Sequence, residues 1–181
     1  METSDQILLN DLKAGKAAAY EAVFKKYYKS LVLKAYLILE DEMEAEDLVQ
    51  NLFIAMWQKA QYLSINTSLK SYLFKAVHNQ CLMHLRSRKI DQRRLDRYAE
   101  KNADQLETAI DQGDEYADEQ SIHLALNELP MQRQKAFKLV YLEDKKYKEA
   151  AVQMGLSVNS IKTHLKLAVK MLQEKLITFR S

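Results

Sequence analysis

Only three glycines and one proline interrupt a chain of 181 residues. So few breakers leave little from which to build tight turns. Sheets rich in hairpins and glycine-rich phosphate loops are therefore disfavoured. Alanine, leucine, lysine, glutamate and glutamine are common, and all are good helix formers. Apolar residues recur at spacings of three and four along most of the chain, as one face of a helix requires. The expectation is an all-α protein made of two small helical domains joined by a flexible linker.

The spacing predicts helices over 5–13, 17–38, 44–60 and 69–89. The third is the clearest: Ala45, Leu48, Val49, Leu52, Phe53 and Met56 mark one apolar stripe. In the fourth, Leu69, Tyr72, Leu73, Ala76, Val77, Leu82 and Leu85 supply the contacts. Four such helices suffice for one small core, assigned to residues 5–97. Residues 98–120 lose apolar periodicity and read as an acidic linker. Helices over 121–129, 131–142, 147–154 and 158–177 then form a second domain, 121–178, with Pro130 suited to the start of a helix.

The net charge of +2 averages unlike regions. Residues 86–97 hold six bases against two acids, and residues 131–181 hold eleven against four, so these are the candidate nucleic-acid footprints. Residues 100–119 hold eight acids against one lysine and separate the two. The single cysteine, Cys81, excludes an internal disulfide. With no apolar run of membrane-spanning length and no signal peptide in this sequence, a reduced cytoplasmic setting and no direct membrane insertion are expected.

Lys148–Val169, KEAAVQMGLSVNSIKTHLKLAV, reads as a helix-turn-helix. Ala150, Ala151 and Met154 face inward on a short first helix. Gly155 can take the left-handed conformation of a sharp helix exit. Ser157 stands where an N-cap belongs. The second helix buries Val158, Ile161, Leu165 and Ala168. Its other face offers Asn159, Ser160, Lys162, Thr163, Lys166 and Lys170. A polar, basic front and a capped N-terminus suit a DNA major groove. A plain packing corner between helices has the same outline.

Two other surfaces stand out. Asp47, Gln50 and Asn51 share one outer face at i, i+3 and i+4. Glu40, Asp41, Glu42, Glu44 and Glu46 crowd before them. These acids suit either helix capping or docking on a basic protein surface. Residues 69–89 begin with Tyr72 and Phe74, pass His78, Asn79 and Gln80, and end with Arg86, Arg88 and Lys89; Arg93, Arg94 and Arg97 follow. Aromatics can stack unpaired bases and arginines can hold phosphates. The alternative is that Tyr72, Leu73 and Val77 are core and the arginines merely solvated.

Catalysis has little support. His78, Cys81 and His84 advance by about 60° at each step of three around a helix, so they do not converge on a metal. No metal-protease, zinc-ribbon, phosphate-loop or nucleophile-elbow pattern is present. Neither an enzyme nor a cofactor is expected.

These blocks, in this order, resemble the extracytoplasmic-function (ECF) group of bacterial RNA polymerase sigma factors, most nearly the Bacteroidetes type. Tyr20–Leu31, YEAVFKKYYKSL, resembles the first helix of sigma region 2. Glu46–Trp57, EDLVQNLFIAMW, resembles the polymerase-docking helix. Ser68–Arg88, SLKSYLFKAVHNQCLMHLRSR, is similar to the segment that melts and reads the −10 element. Leu129–Leu142, LPMQRQKAFKLVYL, resembles the start of region 4, and Lys148–Ala168 its helix-turn-helix.

The resemblance implies a non-catalytic initiation factor. Its partners would be RNA polymerase core, through the β′ clamp helices and the β flap, then promoter DNA and an anti-sigma factor. It assigns Asp47, Gln50 and Asn51 to the clamp helices, although Asn51 stands where the family usually has an acid. It assigns Tyr72, His78, Asn79, Gln80, Arg86, Arg88 and Lys89 to the −10 element. His78 and Met83 replace a frequent arginine and aspartate there. It assigns Ser157, Asn159, Ser160, Lys162, Thr163, Lys166 and Lys170 to the −35 element. Thr163 and His164 fall where serine and arginine are frequent. The alternative is a two-domain helix-turn-helix regulator that binds duplex DNA without polymerase.

Overall fold

The computed structural model describes residues 4–99 and 119–178. All of the regular structure there is helical: α1 (Ser4–Lys13), α2 (Ala17–Leu39), α3 (Glu42–Gln58), a 3-10 turn (Gln61–Ser64) and α4 (Leu69–Ala99) in the first half. The second half holds α5 (Glu119–Asn127), α6 (Met131–Phe137), a π-turn (Lys138–Leu142), α7 (Tyr147–Met154) and α8 (Val158–Thr178).

Helices α2 and α3 form an antiparallel pair through a two-residue corner. Glu40 closes α2 at φ +61°, and its N–H donates to the Tyr36 carbonyl at 2.9 Å. Asp41 then caps α3, its carboxylate accepting from the Glu44 N–H at 2.9 Å. The cap explains why α3 begins at Glu42, two residues before the expected start. It also gives Glu42 and Glu44 favourable places in the first turn.

The first core lies between α2, α3 and α4. Leu31, Val49, Phe53, Met56, Leu73, Val77 and Cys81 are buried in it. Aromatic rings line one side: Phe24 stacks on Tyr28 at 4.6 Å and meets Phe53 at 5.0 Å, and Tyr20 lies 4.5 Å from Trp57. Helix α1 is tied down by Asp5, which accepts from the Tyr27 hydroxyl and from Lys26, both at 2.6 Å. In α1 the buried residues are Leu9 and Leu12, while Ile7 is outward. The Leu48 side chain is only half-buried and packs at the edge of this core.

The second core is smaller. Phe137, Ile161, Leu165 and Leu172 fill it with Ala125, Leu126, Leu129, Ala136, Leu139, Val140 and Ala150. Pro130 opens α6, its carbonyl accepting from the Gln134 N–H at 3.0 Å.

Helix α4 differs most from expectation. It continues ten residues beyond 89, through the basic run and into the predicted linker, to Ala99. No glycine or proline stops it, and helix formers dominate the extension. From Arg86 to Tyr98 every residue is exposed, so this portion stands clear of the core. Residues 100–118 of the expected linker lie outside the described residues, and 119–120 already belong to α5. Among the described residues no helix is long and apolar enough to cross a membrane.

Candidate nucleic-acid interface

The α3 surface follows from its packing. Ala45, Val49, Leu52, Phe53 and Met56 turn toward the core, which sends Asp47, Gln50 and Asn51 outward. All three are exposed and lie on consecutive turns. The Gln50 amide donates to the Tyr28 hydroxyl at 3.2 Å, fixing this face against α2. Ile54 extends the same face while half exposed, and Met43 stands at its start, 76% exposed. Neither was singled out from sequence. Ile54 lies three residues after Asn51, and its outward position follows once 52, 53 and 56 are assigned inward.

Along α4, the residues expected at the −10 element divide by depth. Tyr72, His78 and Gln80 are half-buried, and Tyr72 packs against the first core. Asn79, Arg86, Arg88 and Lys89 are exposed. Arg88 bonds the Glu44 carboxylate of α3 at 3.0 Å, and His84 Nε2 lies 3.3 Å from the same oxygen. Beyond it the exposed helix carries Arg93, Arg94 and Arg97 with Ile90, Leu95 and Tyr98 among them. An array of cations and apolar side chains on a solvated helix offers phosphate contacts beside surfaces for base stacking.

The helix-turn-helix has the expected local construction. Gly155 takes φ +64° at the end of α7. The Ser157 hydroxyl accepts from the Ser160 N–H at 3.0 Å, capping α8. Ala150, Ala151, Ile161, Leu165 and Ala168 are buried, while Met154 and Val158 are half-buried. Opposite them, Ser157, Asn159, Lys162, Thr163, Lys166 and Lys170 are exposed, and Ser160 is half-buried. Thr163 is turned back on the helix, its hydroxyl donating to the Asn159 carbonyl at 3.0 Å. Lys162 Nζ lies 5.6 Å above the Tyr147 ring, a cation–π contact that holds one candidate base reader toward α7.

Sequence reasoning missed that α3 and α7 meet. The Tyr147 hydroxyl donates to the Glu42 carboxylate. Burial and this carboxylate push the Tyr147 phenol well above its ordinary range. Glu46 is also shifted upward, first by burial and then by Glu42 and Asp47, while Lys162 opposes the shift. No local pattern encodes a contact across 105 positions, so no sequence signal pointed to it.

Among the described residues no three acids, histidines or cysteines are grouped to hold a metal. Cys81 is buried, and that burial pushes its thiol up to about 12, far from a reactive thiolate.

The comparisons with known proteins match both halves. Residues 23–90 match the family model "Sigma-70 region 2", and residues 119–172 match "Sigma-70, region 4". The chain is similar to the ECF RNA polymerase sigma factor SigM of Mycobacterium tuberculosis, 26% identical over 166 residues, covering 90% of this chain and 79% of that protein. Among solved structures it is similar to the sigma factor RpoE of Bartonella quintana, solved with the anti-sigma factor NepR. That match has 24% identity, covers 87% of this chain and 96% of the other, and has a TM-score of 0.39. It is also similar to CnrH, solved with the cytosolic domain of CnrY, at 20% identity, with coverage of 97% and 99% and a TM-score of 0.43.

Proposed function

We propose that the chain is a sigma factor of the sigma-70 family, in its ECF group, and that it directs RNA polymerase core to specific promoters, as the matches to region 2 and region 4 and the likeness to SigM support. In this reading α3 docks on the β′ clamp helices through Asp47, Gln50 and Asn51. Helix α4 captures the melted −10 strand through Tyr72, His78, Asn79 and Gln80, while Arg86, Arg88 and Lys89 hold its phosphates. Helix α8 reads the −35 duplex with Asn159, Lys162 and Thr163. Ser157, Ser160, Lys166 and Lys170 hold the backbone there, and region 4 rests on the β flap.

The observation that carries the reading is the pairing, in one chain and in this order, of matches to region 2 and region 4. The exposed polar faces of α3 and α8 support it: each is backed by an apolar side packed in a core. Each DNA contact set is small. Polymerase supplies the rest by holding both at fixed spacing, which raises their effective concentration. The cytoplasm is the proposed place of action. Control by an anti-sigma protein, the kind of partner with which RpoE was solved, and the Bacteroidetes affiliation both rest on the sequence resemblance.

Footprinting on promoter DNA tests this. Protein plus polymerase core protects two patches, near −35 and −10, and makes −10 thymines reactive to permanganate. Protection of a single duplex site by the protein alone, unchanged by polymerase, would instead establish the independent regulator.

A further inference from the structure

Helix α4 outruns its own domain. The region 2 match ends at residue 90 and the region 4 match begins at 119, so the last turns of α4, to Ala99, belong to neither. The helix has 31 residues and is about 46 Å long. Every residue from Arg86 to Tyr98 is exposed, and this stretch packs on neither core. The root of the extension is nevertheless tied down. Arg88 donates to the Glu44 carboxylate of α3 at 3.0 Å. That bond turns the Arg88 side of the helix toward α3 and so fixes where the other sides point.

At about 100° per residue, Arg86, Ile90, Arg93 and Arg97 fall within an arc of about 60°. The arc is centred about 170° from Arg88 and therefore faces away from α3. Lys89 and Arg94 flank it, one on each side. Of the two acids in this stretch, Asp91 stands about 130° from the arc. Asp96 lies at its margin, where its carboxylate accepts from the Gln92 amide at 3.0 Å. Tyr72 and Asn79, proposed above to face the −10 strand, occupy the same arc nearer the start of the helix. One line of side chains thus runs about 37 Å from Tyr72 to Arg97. Past Asn79 it carries no aromatic ring to stack an unpaired base, since Tyr98 stands about 110° away. What it carries is positive charge. Cations crowded on about 16 Å of solvated helix repel one another, and a row of phosphates about 3.4 Å apart offsets that repulsion.

Resting on the sigma reading, we infer that the extension of α4 is a further DNA site: Arg93, Arg94 and Arg97 bind the phosphates of intact duplex just upstream of the −10 element. The direction of the chain sets the side. It leaves α4 for the half proposed to read −35, which lies upstream. Asn79 and Arg97 are about 27 Å apart along the helix, the length of about eight base pairs. The arginines therefore fall over duplex between the two promoter elements. Contacts to phosphate there add affinity and fix the register of the helix without adding sequence preference. They also hold the paired edge of the DNA beside the strand that α4 captures.

Equilibrium binding of the full chain with polymerase core to two fork DNAs tests it. Both forks carry a single-stranded −10 element from a promoter identified by run-off transcription. The long fork keeps about ten base pairs of duplex upstream, and the short fork ends at the element. The combined variant Arg93→Ala, Arg94→Ala, Arg97→Ala should bind the long fork roughly tenfold more weakly, with a salt slope lower by about two to three. It should bind the short fork as the wild type does. Its circular dichroism should be unchanged, because the sites are exposed and alanine favours helix. Lysine at the same three positions should keep long-fork affinity within about threefold, since phosphate recognition there needs charge more than a planar fork. Equal long-fork affinity of the wild type and the alanine variant would overturn the inference. Equal weakening on both forks would also overturn it, by placing the arginines at the −10 strand. Weakened binding to core without DNA would overturn it too, and make the stripe a protein-docking surface. Wild-type complex that binds neither fork would overturn the sigma reading itself, and this inference with it.

Discussion

The two halves of this protein are both helical, but they are stable in different ways. The first is built around α2 and α3, with a wall of Tyr20, Phe24, Tyr28, Phe53 and Trp57 beside a deeply buried aliphatic centre. Its candidate docking face is carried by α3, whose N-terminus is capped by Asp41. The second half has Phe137 as its one fully buried aromatic among the described residues, and mostly alanine and aliphatic side chains otherwise. It gains further burial by laying Val169 on α2. In the proposed function the larger half is the polymerase-docking part and the smaller half the −35 reader.

The largest effects expected are in the cores, and they set the halves apart. Phe53→Ala should cost about 3–5 kcal/mol by cavity formation. Because the second half leans on the first, amide exchange should accelerate in both. Phe137→Ala should cost a similar amount but accelerate exchange only in α5–α8. Equal acceleration of α2 and α3 by Phe137→Ala would erase the asymmetry. Leu48→Ala, at a half-buried position, should cost less than Phe53→Ala in chemical denaturation.

Next in size is docking. Asp47→Arg should weaken polymerase-core binding by roughly tenfold, about 1.4 kcal/mol, with unchanged circular dichroism. Undiminished affinity would remove Asp47 from the docking face and leave the α3 acids as capping and solvation alone.

Smaller still is the phosphate contact expected of Lys166. Lys166→Ala should weaken all −35 sites alike and reduce the slope of log affinity against log salt by about one. A selection experiment returning a different −35 sequence would make Lys166 a base reader instead.

The smallest effect concerns the anchoring of α1. Lys26, then Tyr27, hold the Asp5 carboxyl below its ordinary value of 3.8. A depressed carboxylate contributes stability that is present above the unfolded value and lost as pH falls through the folded one. Wild type should therefore lose stability below about pH 4, by up to about 1 kcal/mol at this partly solvated pair. Asp5→Asn should flatten that part of the denaturation profile. An unaltered profile would show that the Asp5 pair adds nothing measurable to the anchoring of α1 by Leu9, Leu12 and the Lys13–Ile65 hydrogen bond.

Much of this was legible in the sequence because helices declare themselves locally. The stripe Ala45, Leu48, Val49, Leu52, Phe53 and Met56 predicts the buried side of α3, with Leu48 alone left half-buried, and, by exclusion, the outward Asp47, Gln50 and Asn51. Gly155 and Ser157 similarly mark the exit of α7 and the cap of α8, since a left-handed residue and a hydroxyl acceptor have short-range geometric roles. The length of α4 was not legible: loss of apolar periodicity after Leu85 marks the end of packing, whereas the helix ends later. Lys29, Val169 and Tyr147 were illegible for another reason. Their partners lie in the other half of the chain, and nothing near them in sequence distinguishes a lysine that reaches across from one that is solvated.

Reconstituted run-off transcription tests the central claim most directly. Polymerase core from the source organism is combined with this protein and a library of that organism's promoter fragments. Discrete transcripts, absent with core alone and lost when the DNA face of α8 is removed by Asn159→Ala with Lys162→Ala, are the predicted result. No transcript from any promoter, with folded protein and active core, would contradict the account.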